Sequence, residues 1–242
     1  MILAGGLGTR LRRAFDAGPK SLAPVGKKVF LDYLLTWLGA EGVKEAILCV
    51  GYKGAQIQEH VGGGEAWGVR ARYSVETRLL GTGGALKQAE GMIREDCVFV
   101  VNGDTYLGVS LREMLEFHRQ RKASVTVAVA RVEETGRYGS VHLDEEKRIT
   151  VFQEKSGTRF SGETAGMRSI NGGVYVVRRE VLEMIPVGRE MSLEKEVLPD
   201  LVACKGIFGF ETNGYFLDIG VEDDFSRAQT ELPERFHTSH SD

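Results

Sequence analysis

The sequence is poor in cysteine and proline, and it has no long hydrophobic run. Its three cysteines, Cys49, Cys97 and Cys204, are too few and too widely separated for a disulfide framework or a zinc site with C-x-x-C spacing. Each lies in an apolar stretch, which predicts three buried free thiols. No apolar stretch approaches the roughly 18 residues of a membrane-spanning helix, and no signal-peptide pattern precedes the glycines that follow Ala4. These absences predict a cytoplasmic protein without a membrane partner.

The sequence also has no excess of basic residues, because it contains 31 Lys and Arg residues against 34 Asp and Glu residues, which gives a net charge of −3. Proteins that bind nucleic acid usually carry a basic excess, so no nucleic-acid partner is expected. The five histidines show no spacing typical of metal ligands. With 242 residues, 42% of them hydrophobic, the chain is long enough for one large globular domain.

Apolar strand-like segments alternate with helical patterns through the first half of the chain. EAILCVGY and CVFVVNGD are near-continuous apolar runs of the kind that form parallel strands buried on both faces. The pattern predicts an α/β fold, Rossmann-like and three-layered, with a mostly parallel mixed sheet. Ligands bind at the carboxyl ends of strands in such sheets, and the first glycine-rich loop and NGD both follow strands.

The sequence pattern changes near residue 136, where short strand-like segments around polar turns replace the regular alternation of strands and helices. No low-complexity linker and no internal repeat separates the two parts, so we predict a single domain over residues 1–234. Its two halves are residues 1–135 and 136–234. The chain closes on the polar segment HTSHSD, and we predict a disordered tail over residues 235–242.

The segment LAGGLGTRLR places Gly5, Gly6 and Gly8 directly after the first strand. A glycine-rich turn can present backbone N–H groups to phosphate oxygens, but a plain tight turn explains the glycines equally well. The spacing fits neither the P-loop pattern nor the dinucleotide-binding pattern. Arg10 and Lys20 favour the phosphate interpretation, because a guanidinium and an ammonium both complement phosphate charge.

Two carboxylates follow apolar strands at distant points of the chain, Asp104 in CVFVVNGD and Asp218 in YFLDIG. Either one alone is typical of an Asx turn. Together, beside a phosphate-binding loop, they suit Mg²⁺, which takes one or two carboxylates plus phosphate oxygens. Glu154 and Lys155 close another strand, where they face either a ligand or only each other as an exposed ion pair.

Seven segments resemble those of sugar-1-phosphate nucleotidyltransferases and occur in the same order: LAGGLGTRLR, PKSLAPV, LLGTGGAL, NGDTY, RYGSVHLDEEKRITVFQEK, INGGVY and YFLDIG. They cover residues 1 to about 230. Within that family, GYKGAQIQEH, SLEKEVLP and YFLDIGVEDDFSRAQ look like the D-glycero-α-D-manno-heptose 1-phosphate guanylyltransferases. The resemblance implies the nucleotidyltransferase fold, which is similar to that of GT-A glycosyltransferases.

The resemblance implies that residues 1–135 form the nucleotide-binding half. The residues that it places against the NTP are Leu3, Ala4, Gly5, Gly6, Gly8, Thr9, Arg10, Gly81, Thr82 and Gly83. Arg10, Lys20 and Asp104 are implied as catalytic residues, with Arg10 on the β- and γ-phosphates and Lys20 directed at the α-phosphate. Asp104 and Asp218 are the implied ligands of a Mg²⁺ cofactor.

Residues 136–234 form the sugar-binding half by the same resemblance. Gly139, Glu154 and Asn171 are implied to face the sugar, and Lys155 its phosphate. The sequence departs from many relatives at Ser156, where they have proline after Glu-Lys. The departure makes that turn less rigid and leaves the two implied ligands in place.

The implied reaction transfers a nucleoside monophosphate from an NTP to a sugar 1-phosphate. GTP and D-glycero-α-D-manno-heptose 1-phosphate are the implied substrates, and another NTP with mannose or glucose 1-phosphate is the alternative. A glycosyltransferase would normally carry D-x-D after the central strand, where this chain has NGD. A catalytically silent nucleotide-sugar sensor would be expected to lack Arg10, Lys20 or Asp104, and all three are present. A homodimer is compatible with the sequence.

Arg10 lies in the motif that the resemblance places on the triphosphate, whereas its basic neighbour Arg13 is expected to be a surface charge. We expect Arg10→Ala to lower the rate of pyrophosphate release about 100-fold, because a charge-assisted contact to the leaving pyrophosphate is lost. Arg13→Ala is the matched control and should change that rate less than about twofold, as a solvated surface charge does. Equal losses in the two variants, measured with a coupled pyrophosphate assay, would contradict this placement of the loop.

Overall fold

A computed structural model describes residues 1–6, 15, 18–133, 138–153 and 167–238. Its strands are β1 (Ile2–Leu3), β2 (Pro24–Val25), β3 (Lys28–Val29), β4 (Glu45–Val50), β5 (Arg70–Val75), β6 (Cys97–Asn102), β7 (Thr105–Leu107), β8 (Val125–Glu133), β9 (Ser140–Leu143), β10 (Ile149–Gln153), β11 (Met167–Arg178), β12 (Ile207–Thr212) and β13 (Phe216–Asp218). Its α-helices are α1 (Phe30–Ala40), α2 (Gly54–Val61), α3 (Gly81–Ala89), α4 (Leu111–Arg121), α5 (Arg179–Glu183), α6 (Leu198–Ala203) and α7 (Glu222–Thr238).

The chain divides into two compact units that are interleaved in sequence. The first unit is Met1–Leu79, Val101–Tyr106 and Leu217–Asp242, and the second is Leu80–Val100 and Leu107–Phe216. Strands β6, β7 and β13 therefore contribute residues to both units. This division differs from the predicted halves 1–135 and 136–234, because each unit combines segments from distant parts of the sequence.

The first unit contains a parallel sheet in the order β5, β4, β1, β6. The two-residue strand β1 lies between β4 and β6, with Ile2 opposite Leu48 on one side and Val101 on the other. Leu48 is fully buried, and Ile2 and Val101 are nearly so. Strands enclosed in this way must be apolar on both faces, which explains the continuous apolar run AILCV of β4.

The second unit contains strands of both orientations. β8 pairs antiparallel with β11 and parallel with β12, while β9 pairs antiparallel with both β10 and β11. The register of β11 against β8 shifts between Asn171 and Tyr175, which are opposite Val129 and Val127. Such a bulge bends the strand and changes the direction of its side chains. With the first unit, these pairings confirm the predicted α/β fold with a mixed sheet.

Helix α4 is capped by Ser110. The Ser110 side chain accepts a hydrogen bond from the Glu113 backbone N–H at 3.3 Å, as serine commonly does at the start of a helix. Helix α7 reaches Thr238, so residues 235–238 are helical where the sequence predicted a disordered tail. Within the described residues, no helix combines the length and the apolar composition needed to cross a bilayer.

The cysteines are free, but only one fulfils the expectation of a buried thiol. Cys49 is fully buried in β4, and burial raises the pKa of its thiol to about 12. Cys97 is partly exposed and Cys204 is exposed. The prediction was wrong for Cys204 because this residue ends helix α6, where the chain turns toward solvent.

His118 makes the stability of the second unit depend on pH. It is 2% exposed, and its Nδ1 lies 2.9 Å from Thr126 Oγ1. Burial, followed by the positive charges of Arg178 and Arg119, lowers its pKa from the ordinary 6.5 to about 4. Between these values the unfolded chain binds a proton that the folded chain does not. Stability is therefore lost as the pH falls from 6.5 to 4.

We expect this titration to remove about 3 kcal/mol of unfolding free energy between pH 7 and pH 4. Denaturant unfolding at pH 7 and pH 4 gives the unfolding free energy at each pH. The loss of unfolding free energy between the two should be smaller in His118→Gln than in the wild-type protein, by about 3 kcal/mol. The comparison with the variant cancels the contributions of the other titrating groups. An identical pH dependence in the two proteins would show that His118 is protonated in the folded state.

Candidate active site

Two clusters of polar residues, one in each unit, contain five of the site residues that the sequence predicted: Lys20, Asp104, Asp218, Thr82 and Asn171. The carboxylate cluster of the first unit comprises Lys20, Asp104, Asp218 and the neighbouring Gly220. The glutamate network of the second unit is centred on Glu194, and its members are Thr82, Asn171, Tyr175, Ser192 and Glu194.

Strand pairing brings the first glycine segment and Asp104 to the same edge of the parallel sheet. The Ala4 N–H donates to the Cys49 carbonyl at 2.9 Å, and the Gly103 N–H donates to the Leu3 carbonyl at 2.9 Å. Parallel pairing thus continues one residue beyond each strand, so the chain after β1 and the chain after β6 both emerge at the carboxyl ends. Asp104 follows Gly103 directly, so it comes one residue after the point where this chain segment contacts Leu3 and Ala4.

Lys20 and Asp104 form an ion pair in the first unit. Lys20 Nζ lies 2.6 Å from Asp104 Oδ2, with 14% of the lysine side chain and 35% of the aspartate side chain exposed. Burial alone would raise the pKa of Asp104, but the charge of Lys20 and hydrogen bonds from Lys20 and Thr105 outweigh it and lower the pKa. Asp104 therefore stays ionised at neutral pH, which a metal ligand requires.

Asp218 is held next to this pair by the backbone. The Ile219 N–H donates to the Asp104 carbonyl at 3.0 Å, and the Gly220 N–H donates to Asp218 Oδ1 at 2.7 Å. A Cβ atom on Gly220 would lie 2.7 Å from Asp218 Oδ1 and would also clash with Lys20 Nζ. The ammonium and both carboxylates therefore share one small space, which exists because residue 220 has no side chain.

The carboxylate cluster could supply Mg²⁺ with two ligands, and the remaining ligands would have to come from phosphate or water. In the portion of the chain that the structure describes, no three His, Cys, Asp or Glu side chains form a group that could hold a metal. Two carboxylates match the number that Mg²⁺ usually takes from a protein when phosphate and water oxygens supply its other ligands. Asp104 and Asp218 are thus a fitting donor set for a metal that arrives with a phosphate ligand.

The N-terminus of α3 is bound by the segment around Met191. The Gly83 and Gly84 N–H groups donate to the Met191 carbonyl at 2.9 and 3.2 Å. Gly81 has φ +68°, and a Cβ atom there would lie 2.5 Å from the Met191 carbonyl oxygen. Glycine is thus required at position 81 for both its backbone angle and the close approach. The N–H of Gly83 is already paired, so any contact of this residue with a base must use other atoms.

The glutamate network connects Thr82 to Asn171. Thr82 Oγ1 donates to Glu194 Oε2 at 2.6 Å, and Ser192 Oγ donates to the same oxygen at 3.1 Å. The Tyr175 hydroxyl donates to Glu194 Oε1 at 3.4 Å and accepts from Asn171 Nδ2 at 2.6 Å. Residues predicted to serve the base and the sugar therefore belong to one hydrogen-bond network.

The register of three strands places Gly139 at the predicted sugar side. Ser140 is opposite Gln153 of β10 and Ile170 of β11. Because these strands are antiparallel, Gly139 and Asn171 continue the same row past that pairing. Glu154 and Lys155, which follow Gln153 in sequence, lie outside the described residues, as do Gly8, Thr9 and Arg10.

Reasoning from sequence missed Glu194, Tyr175 and Gly220. Glu194 lies in SLEKEVLP, where a charged residue after a serine cap is typical of an exposed first helical turn. In the structure it is 8% exposed, in a π-helical turn spanning Leu193–Val197. A π-helical turn is a feature often associated with functional sites, but nothing in the sequence identifies it.

Comparison with known proteins gives matches over almost the whole chain. The family model described as nucleotidyl transferase matches residues 1–235. A mannose-1-phosphate guanylyltransferase of Mycobacterium tuberculosis is 39% identical over 96% of this chain and 64% of its own length. A D-glycero-alpha-D-manno-heptose 1-phosphate guanylyltransferase of Aneurinibacillus thermoaerophilus is 38% identical over 96% of this chain and 97% of its own. This chain thus spans less than two thirds of the mycobacterial relative.

The fold is also similar to a solved structure. The crystal structure of HddC from Yersinia pseudotuberculosis superimposes with a TM-score of 0.83 at 30% sequence identity, covering 96% of this chain and 97% of that one. A second structure of the same protein, in complex with GMP-PN, gives the same values.

The space at Gly220 leads to a test of the carboxylate cluster. We expect Gly220→Ala to lower the rate of nucleotidyl transfer about tenfold or more, because the new methyl group displaces Lys20 and Asp218. The melting temperature should change little, since the displaced groups are the ends of side chains. Gly91→Ala is the matched control, because a Cβ atom there meets nothing within 4 Å. Equal rates in the two variants, each measured with both substrates in excess, would contradict the proximity of these groups.

Proposed function

This chain belongs to the nucleotidyl transferase family, as its motifs predicted, and from this membership we propose that it transfers a nucleoside monophosphate from an NTP to a sugar 1-phosphate. An oxygen of the sugar phosphate attacks the α-phosphorus, and pyrophosphate leaves. The observation that carries the proposal is the carboxylate cluster, in which Lys20 lies 2.6 Å from Asp104 and beside Asp218 at the edge of the parallel sheet.

The proposed substrates are GTP and D-glycero-α-D-manno-heptose 1-phosphate. Support for GTP comes from the relatives of Mycobacterium and Aneurinibacillus, whose names both specify guanylyl transfer, and from the GMP-PN complex of HddC. Support for the heptose comes from the Aneurinibacillus relative and from segments such as SLEKEVLP. The alternative is the 1-phosphate of mannose or glucose, and the mycobacterial relative favours mannose.

The main obstacle to this reaction is the repulsion between two polyanions. Two unit charges about 4 Å apart repel by about 4 kcal/mol at an effective dielectric constant near 20. No general base is needed, because a phosphate monoester with a second pKa of about 6 is mostly dianionic at pH 7. The protein must therefore supply positive charge and in-line geometry more than proton transfer.

Lys20 supplies that charge at the junction of the two substrates. Its ammonium is partly buried and already held by the carboxylate of Asp104, so it is oriented before the nucleotide binds. When the α-phosphate arrives, the ammonium can donate to a phosphate oxygen without a large movement. Charge at this position matters most as the α-phosphorus is attacked, so Lys20 should act mainly on kcat.

Asp104 and Asp218 would hold Mg²⁺ at this site. When bound, the metal would neutralise phosphate charge and orient the triphosphate. The lowered pKa of Asp104 keeps this carboxylate available at neutral pH. The Gly220 N–H orients the Asp218 carboxylate through its contact with Oδ1. Arg10 on the leaving pyrophosphate, and Glu154 and Lys155 on the sugar phosphate, complete the proposed site.

The proposed substrates are soluble phosphorylated metabolites, so we place the protein in the cytoplasm. The proposed reaction involves neither nucleic acid nor a membrane surface. A homodimer stays a prediction that sedimentation or light scattering can test.

A matrix of four NTPs against heptose, mannose and glucose 1-phosphates tests the proposal directly. We expect pyrophosphate release with GTP and the heptose phosphate at a kcat/KM at least about tenfold above any other pair. The reaction should stop with EDTA and return with Mg²⁺. A higher kcat/KM with mannose 1-phosphate would replace the proposed sugar. No release with any pair would favour the catalytically silent sensor.

A further inference from the structure

The Glu194 carboxylate is the acceptor for hydrogen bonds from three hydroxyl groups. It is 8% exposed and receives Thr82 and Ser192 on one oxygen and Tyr175 on the other, at distances of 2.6, 3.1 and 3.4 Å. A buried carboxylate without such donors would be strongly unfavourable. The demand for donors therefore fixes the position of each hydroxyl relative to Glu194.

The Thr82 hydroxyl both donates and accepts a hydrogen bond. It donates to Glu194, and its oxygen accepts the Leu193 backbone N–H at 2.8 Å. The neighbouring N–H groups of Gly83 and Gly84 bind the Met191 carbonyl. The first turn of α3 is therefore attached to the segment that carries Glu194 by side-chain and backbone bonds together.

Tyr175 extends the network into strand β11. Its side chain is fully buried, so its hydroxyl must find partners inside the protein. It donates to Glu194 and accepts from Asn171 Nδ2, while Asn171 Oδ1 accepts the Gly173 N–H at 3.0 Å. The contact to Gly173 sets the orientation of the Asn171 amide, so donors and acceptors alternate consistently from Asn171 to Glu194.

We propose that Glu194 is a positioning residue that holds the turn carrying Thr82 and the strand carrying Asn171 in one geometry. This inference rests on the proposed function and on the roles that the family resemblance implies, with Thr82 serving the nucleotide and Asn171 the sugar. One buried carboxylate then orients residues that serve both substrates. Glu194 acts through these residues, and its own carboxylate is occupied by the protein.

The kinetic signature of such a residue is a change in both Michaelis constants. We expect Glu194→Gln to raise the KM for GTP and the KM for sugar 1-phosphate by about three- to tenfold each, because an amide cannot accept at both of its ends. Thr82→Val should raise mainly the KM for GTP, and Asn171→Ala mainly that for sugar 1-phosphate. A Glu194→Gln variant that changes one KM alone, or neither, would overturn the inference.

A double-mutant cycle tests whether Thr82 and Tyr175 depend on the same carboxylate. Thr82→Val and Tyr175→Phe each remove one donor, on different oxygens of Glu194. If Glu194 couples them, their effects on the denaturant midpoint and on the KM values should not add. Thr82→Ser keeps the hydroxyl and should restore wild-type values. Additive effects in the cycle would overturn the coupling.

Two serines give a matched control for the loss of a helix cap. Ser192 and Ser110 both accept a backbone N–H at the start of a helical segment, from Lys195 and Glu113, and of the two only Ser192 also donates to Glu194. Ser192→Ala should raise both KM values by about two- to fivefold, whereas Ser110→Ala should leave them unchanged. Equal KM values in these variants would show that the network has no role beyond capping.

The measurements also separate this inference from the proposed function. Absence of pyrophosphate release by the wild-type protein would contradict the proposed function. The double-mutant cycle of Thr82→Val and Tyr175→Phe, measured by the denaturant midpoint, needs no catalytic turnover. Non-additive effects in that cycle support the inference, and additive effects overturn it.

Discussion

The parallel pairing of β1 with two neighbouring strands is the constraint on which the first unit depends. This strand has only two residues, yet it hydrogen-bonds with β4 on one side and β6 on the other. Its register aligns Leu3 with Cys49 and Asn102, so the chain leaves the sheet at the same level after β1 and after β6. A shift of one residue would turn the side chains to the opposite face and separate Asp104 from the glycine segment.

Charge arrangement at that sheet edge follows from the same geometry. A carboxylate emerging from a buried strand needs a counter-charge, and Lys20 supplies it at 2.6 Å. The second carboxylate, Asp218, is aligned through the bond between the Ile219 N–H and the Asp104 carbonyl. A lysine that neutralises carboxylates in the free protein is also suited to meet a phosphate. In the proposed function, the lysine that pairs with Asp104 in the free protein would also supply the positive charge that phosphoryl transfer needs.

Much of this site could be predicted from the sequence, because its parts follow apolar strands that are recognisable locally. Asp104 and Asp218 are each the polar residue at the end of such a strand, and the sheet brings strand ends together. The Ser110 cap was predictable for the same reason, since its partner lies three residues away. Gly220 was not, because the need for a small residue arises from Lys20, which is 200 positions away in the chain.

The buried carboxylate of Glu194 shows why the centre of the glutamate network was not predicted, although Thr82 and Asn171 were. Helical propensity and polarity describe this residue as a surface charge, and its neighbours Leu193, Lys195, Glu196 and Val197 do not contradict that description. Its burial depends on Thr82, which lies 112 positions away, and on Tyr175 in a strand whose bulge cannot be read from periodicity. A buried ion stays favourable only when all its donors are present together, so it is a property of the assembled unit and not of any segment. For that reason a buried residue such as Glu194, which orients other side chains, is harder to predict from sequence than a residue such as Asp104, which ends an apolar strand.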